Sequence, residues 1–219
     1  LCSPSRAMLM TGMYPHGTGV LENCHSQSAP YGCELSASAC CWSDVLKDKG
    51  YSLGYIGKWH LDSPRDPYVS CKNNRPERSW NEWCPPERRH GFDYWYSYGT
   101  YDWHMNPMYW ETDAARDEFH FVHQWGPEHD ADKAIDYIQN RGGHFRDPNR
   151  PFALVVAMNP PHPPYDMYPE KYAAPYHGKD LADLVVRPNV DIVGDSLPSR
   201  LARDHTMNYF AMITGVDAQ

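Results

Sequence analysis

Residues 130–158 read DADKAIDYIQNRGGHFRDPNRPFALVVAM, a helix-forming pattern followed at once by a strand-forming one. From Asp130 to Arg141, Ala131, Ala134, Ile135 and Ile138 recur at helical spacing, and Gly142 and Gly143 follow the end. That predicts a surface helix packing one face. Phe152 to Met158 is a continuous apolar run of strand length, the pattern of a strand buried on both faces in a parallel sheet. A helix leading straight into such a strand is one crossover unit. The fold class is therefore α/β, with a mostly parallel central sheet.

Working outward, Ser3 reads as an N-cap, Pro4 as the first helical position and Gly12 as the stop of a helix running through Ser5 to Thr11, with Cys2 just before it. A second helix is expected from Cys41 to Lys49, ended by Gly50, with a short strand from Ser52 to Gly57. Leu201, Tyr209, Met212, Ile213 and Val216 predict a last helix within Ser199 to Gln219. Residues 62–127 are rich in Pro, Trp, Tyr and charge without sustained period, and read as a long excursion with little regular structure. No internal repeat is visible.

The chain has 219 residues, which allows one large domain. With 41% hydrophobic and 22% charged residues it can build a core. Its net charge of -8 argues against a nucleic-acid backbone reader or a polybasic membrane binder. The longest apolar run, Phe152 to Met158, is far short of the roughly 20 residues that a membrane span needs. The chain starts at Leu1 and is read as a fragment of a larger domain, so compartment does not follow from its first residues. Seven cysteines are an odd count: with one thiol chemically special six remain, and the sequence does not choose among their fifteen pairings. Cys71 and Cys84 bracket a Trp- and charge-rich insertion and would be candidates for a disulfide in an exported protein, whereas Cys24, His25, Cys33, Cys40 and Cys41 lack zinc-site spacing.

The densest chemical signal is Cys2-Ser3-Pro4-Ser5-Arg6, continued by Leu9, Thr11 and Gly12. A thiol at a helix N-terminus meets free N–H groups and partial positive charge, and Arg6 adds a cation one turn in. This is a setting for anionic chemistry. The motif resembles the signature of the type I, formylglycine-dependent sulfatases of the alkaline phosphatase superfamily, and four more blocks follow in the family's order: Gly57-Lys58-Trp59-His60-Leu61, Arg89-His90-Gly91-Phe92-Asp93, Asn159-Pro160-Pro161-His162-Pro163-Pro164-Tyr165, and Tyr209 to Asp217. Together they span nearly the whole chain.

The resemblance implies an alkaline-phosphatase-like sandwich, incomplete at both ends, with residues 1–219 forming part of a single catalytic domain. It implies hydrolysis of a sulfate ester by a formylglycine made from Cys2. Arg6 would hold and neutralise the hydrated aldehyde. Lys58 would contact the sulfate oxygens, and His60 would take a proton from the formylglycine hydroxyl. His162, on a loop stiffened by prolines, would act as general acid for the leaving alcohol. The family binds one divalent cation, usually Ca²⁺, and Cys2 as formylglycine is the metal ligand that carries over, the others lying outside this chain. A formylglycine-generating maturation enzyme is the implied partner, and the family's compartments are periplasmic, secreted or lysosomal.

Nine aromatics between Phe92 and Trp110 suit either a sugar-binding wall or plain packing, and they nominate Trp103 and His104 as substrate contacts for a sulfated carbohydrate. Two other functions stand beside the sulfatase reading: a phosphonate or phosphodiester hydrolase of the same superfamily, and a non-catalytic sulfated-glycan binder.

Overall fold

The computed structural model describes residues 1–219. Along the chain run α1 (Cys2–Thr11), the short α2 (Pro15–Thr18), α3 (Trp42–Asp48), β1 (Ser52–Lys58), β2 (Tyr94–Tyr98), the two-residue strands β3 (Met108–Tyr109) and β4 (His120–Phe121), α4 (Gly126–Gln139), β5 (Phe152–Ala157), the short α5 (Leu181–Leu184) and α6 (Leu197–Asp217). β2, β1 and β5 form one parallel sheet in that order, and β3 pairs with β4 antiparallel. Gly54 of β1 lies opposite Tyr94 on one side and Leu154 on the other.

Period-two alternation along β1 divides the core between the two faces of the sheet. Leu53 and Tyr55 join Ala7, Met10, Trp59, Phe92 and Trp95 on one face. Ile56 joins Tyr96, Tyr98, Met108, Tyr109 and Trp110 on the other. Large apolar side chains buried in this way contribute about 2 kcal/mol each, so the central strand is the best-anchored element.

The helix-then-strand reading of residues 130–158 holds as α4 and β5, with corrections of detail. α4 begins at Gly126, four residues earlier than expected, because Pro127 is well placed in a first turn. Its buried face carries Pro127, Asp130, Ala134 and Tyr137, while Ile135 and Ile138 are exposed. The stop is Asn140 in the left-handed region, before the two glycines are reached. β5 is only partly buried, because within this chain it is an edge strand.

The expected excursion conceals β2. Tyr94-Trp95-Tyr96-Ser97-Tyr98 has strong strand propensity, but both its faces are covered, so no alternation shows in the sequence. α1 also differs from expectation. Its cap is Leu1, Cys2 lies inside the first turn, and Gly12 ends it in the left-handed conformation as expected. Ser3 is no cap: its hydroxyl accepts from the Cys24 N–H at 3.0 Å, and its own N–H donates to Asn23 Oδ1 at 3.1 Å. α6 starts at Leu197 behind Ser196, whose hydroxyl accepts from Ser199 N–H. Cys71 and Cys84 are both free thiols.

Candidate active site

All three parallel strands end at the same place. β1 delivers Lys58, the chain after β2 delivers Asp102, the chain after β5 delivers Asn159 and His162, and the first turn of α1 supplies Cys2. Ligands in open α/β sheets bind beyond the carboxyl ends of the strands. Here Cys2, Lys58, His60, Asp102 and His162 line one cavity of about 640 Å³. Gly57 makes the approach of β1 to β5 possible. It has φ +93°, and a Cβ there would lie 2.5 Å from the Ala157 carbonyl oxygen.

Lys58 is 1% exposed, and its Nζ donates to Asn159 Oδ1 at 3.1 Å. Burial lowers its pKa, against the pull of Asp102 and Cys2. His60 lies just past the strand end in the left-handed region at φ +55°, an uncommon conformation for a non-glycine residue and one often found at functional sites. It reaches the cavity through that backbone bend. Its Nε2 is 3.0 Å from the Cys24 carbonyl, which only accepts, so Nε2 carries the proton and Nδ1 presents a lone pair. That buried Nδ1 has no partner in the chain. Burial first, and then the Lys58 charge, hold His60 well below the usual histidine range, so the ring is neutral.

His162 has the opposite character. Its Nδ1 is 3.2 Å from Asp102 Oδ1 and 2.8 Å from the Pro163 carbonyl. The Asp102 carboxylate and then Cys2 raise its pKa to about 9, which makes it an imidazolium at neutral pH. His162 in turn is the main reason that the Cys2 thiol falls to about 7, with Lys58 and Arg6 adding to it against burial. For Asp102, burial pushes the carboxyl up, but His162 and Lys58 outweigh it, and the group ends well below the ordinary range. Two histidines with opposed charge states, His60 buried and His162 half-buried, therefore face one cavity.

Cys2, Lys58, His60 and His162 come together as the sequence led us to expect, and Trp103 lies on the same cavity wall. Arg6 does not line it. Its guanidinium donates to the Lys58 carbonyl and to Tyr55 Oη, tying α1 to the end of β1, so its contribution to position 2 is charge rather than contact. His104, expected at the substrate wall, is instead buried behind it, where its Nε2 donates to the His162 carbonyl at 2.7 Å and supports the loop. Asp102 lies in none of the motif blocks, and Asn159 opens the fourth block without a role assigned to it there. Asn159 Nδ2 donates to Asp102 Oδ1 at 2.9 Å and to the Tyr101 carbonyl at 3.2 Å, while its Oδ1 accepts from Lys58.

The surroundings of Cys2 suit an oxidised, hydrated side chain: a half-buried position on the wall, an unpartnered acceptor at His60 and cations at Lys58 and His162. They do not suit a complete cage for a hard divalent cation, which takes 6–8 oxygen ligands. The only carboxylates on the wall are Asp102 and Glu77, and both oxygens of Asp102 are engaged, one by His162 and Asn159 and the other by Asn73 Nδ2 at 2.7 Å. Cys41, Asp44 and His90 do cluster elsewhere. There Asp44 caps the Cys41 N–H at the start of α3, and burial pushes the Cys41 thiol up to about 12, so the trio is a helix cap.

Against known proteins, the family model described as Sulfatase matches residues 1–219. The chain is 41% identical to the Endo-4-O-sulfatase of Bacteroides thetaiotaomicron over 226 residues, covering 99% of this chain and 42% of that protein. It is 29% identical to the Ulvan-active sulfatase of Formosa agariphila, covering 99% and 36%. A solved yidJ structure from Bacteroides fragilis superposes with a TM-score of 0.93 at 55% identity, over 100% of this chain and 46% of that one. A Bacteroides thetaiotaomicron structure connected with metabolism of multiple glycosaminoglycans gives 0.86 at 41% identity, over 100% and 44%. The chain thus spans less than half the length of the relatives it matches.

Proposed function

Because this chain belongs to the sulfatase family and shares the α/β fold of its solved relatives, we propose that it is part of the single catalytic domain of a sulfuric ester hydrolase acting on a sulfated carbohydrate. The observation that carries this reading is that a neutral His60 with a free Nδ1, a charged His162 and a buried Lys58 line the same cavity as Cys2. Once a maturation enzyme has oxidised Cys2, a formylglycine there supplies, in its hydrated form, the attacking hydroxyl.

The chain's own residues then divide the work. Lys58 binds the anionic ester oxygens, in a buried setting where a charge contact counts for more than in water. His162 holds a proton to give to the leaving alcohol, and Asp102 keeps it there. His60 Nδ1 accepts a proton from the hydroxyl at position 2, while the Cys24 carbonyl fixes the tautomer. Arg6 adds positive charge near position 2 and anchors α1 to β1. Cys2, as formylglycine, would hold the divalent cation that the family generally uses, calcium in this reading, which would polarise the sulfate.

The carbohydrate preference draws on the relatives, whose names are those of an endo-4-O-sulfatase and an ulvan-active sulfatase. In the whole protein made together with a formylglycine-generating enzyme, mass spectrometry of the peptide bearing Cys2 should show an aldehyde. Cys2→Ala should abolish release of sulfate while the melting temperature stays within a few degrees. Turnover by protein whose Cys2 is an intact thiol would overturn the mechanism. Phosphate esters or phosphonates turned over faster than sulfate esters would move the enzyme to another activity of the superfamily.

A further inference from the structure

The wall of the active-site cavity is more positive than the chemistry at Cys2 requires. Besides Lys58 it carries Lys72, Arg75 and Arg78 from the stretch 72–78, whose turn at 75–78 also brings one exposed carboxylate, Glu77, to the wall. That turn is closed by reciprocal backbone hydrogen bonds between Arg75 and Arg78, at 2.8 and 3.1 Å. It is moored to the catalytic end of the cavity, because Asn73 donates to Asp102 Oδ2 at 2.7 Å and accepts from the Asp102 N–H at 3.0 Å. The cations are therefore held at a set position relative to His162 rather than on a free loop.

None of the three has a carboxylate within 4.0 Å, although the chain has 28 acidic residues against 20 Lys and Arg. Lys72 lies over the Trp103 ring at 4.0 Å, and Arg78 donates to Gln27 Oε1 while lying over the Trp80 ring at 5.2 Å. Both are oriented by neutral partners that leave their charge uncompensated. The Arg75 guanidinium makes no hydrogen bond or ion pair in the chain and is exposed. Three cations on this short stretch outnumber its single carboxylate, Glu77, and a bound anion would offset the excess positive charge. Lys58 and His60 lie buried at the floor, whereas Lys72 and Arg75 lie at the open rim. A ligand seated with its sulfate ester on the floor meets these cations with another of its parts.

We propose that Lys72, Arg75 and Arg78 form a second anion subsite, which selects glycans bearing a further negative group, carboxylate or sulfate, on the sugar adjoining the one that carries the scissile ester. The inference rests on the sulfatase reading for what occupies the floor. Guanidinium groups offer paired N–H donors that match either oxyanion, so the chemistry fixes the charge rather than its source.

The test is calorimetric binding to the whole protein carrying Cys2→Ala, which cannot turn over. Three disaccharide probes share one sulfated hexosamine: one joined to a uronate, one to the same sugar with its carboxyl reduced to the alcohol, and one to that neutral sugar bearing a sulfate. The uronate, the added sulfate or both should bind about tenfold more tightly than the neutral probe, and whichever does so identifies the source. Combined Lys72→Gln, Arg75→Gln and Arg78→Gln should bring the three affinities together. Arg75→Gln alone, at an exposed side chain without contacts, should remove about threefold of the difference. Equal affinity for all three probes in the parent protein would overturn the subsite, as would variants that weaken the neutral probe as much as the charged ones. Failure of the sulfatase reading shows separately, as no sulfate released from any probe by the matured Cys2 protein.

Discussion

Asp102 connects the parts of the site more than any other residue. One of its oxygens serves His162 and Asn159, the other accepts from Asn73, and through Asn159 it is linked to Lys58. Its carboxylate is the largest cause that favours the imidazolium form of His162, ahead of Cys2, so replacing it must lower the histidine's pKa toward the ordinary value of about 6.5. The protonated acid is then lost at lower pH. For Asp102→Asn, pH–rate profiles of the matured protein should show the alkaline limb of kcat moved down by at least about one pH unit, with the larger loss at pH 8 on alkyl sulfates, which need the acid, than on an activated aryl sulfate. An unmoved limb would mean that the His162 proton is not used. The sequence displayed Cys2, Lys58, His60 and His162 because each lies in a contiguous motif. Asp102 belongs to none, and its partners are distant in the chain.

At the scale of elements, α4 carries a buried carboxyl. Asp130 accepts a hydrogen bond from Tyr109 Oη at 2.8 Å, and burial raises its pKa to about 7. The unfolded value is about 3.9, so between roughly pH 4 and 7 the folded chain binds more protons than the unfolded one, and stability falls as pH rises through that window. Asp130→Asn keeps an acceptor for Tyr109 and removes the buried charge. Its melting temperature at pH 8 should exceed that of the parent by several degrees, roughly 2 kcal/mol, and the gain should vanish near pH 4. A gain of equal size at both pH values would point to packing instead. The same helix shows where pattern reading falters. Ala134 is buried as its spacing implies, yet Ile135 and Ile138 face solvent while Asp130 and Tyr137 face the sheet. Tyr137 lies against Gly54 and Leu154, where β1 leaves room for a ring, and that fit between elements outweighs the helix's own apolar stripe. β2 was hidden for a related reason, since a strand covered on both faces has no alternation to read.

Over the whole molecule, a net charge of -8 coexists with a positive cavity, so attraction of an anionic ligand is local and short in range. The wall offers no free set of hard oxygens around Cys2. Calorimetric titration of the 219-residue chain with Ca²⁺ should accordingly give nothing tighter than about millimolar and no rise in melting temperature. A tight site would show that the Asp102 oxygens leave their present partners. The sequence by itself determined the α/β class, a strand at β1 and the glycine stop of α1, while the four side chains that meet at the strand ends were nominated by the resemblance of their motifs to a known family. The elements depend on residues adjacent in the chain, where propensity and backbone geometry act, and each motif is likewise a contiguous stretch. Only the tertiary structure decided that His104 supports a loop, that Arg6 acts through its charge, that Lys72, Arg75 and Arg78 share the cavity of Cys2, and that of two histidines one holds a proton and the other awaits it. Proton location depends on desolvation and on partners brought from distant segments, and these exist only once the chain has folded.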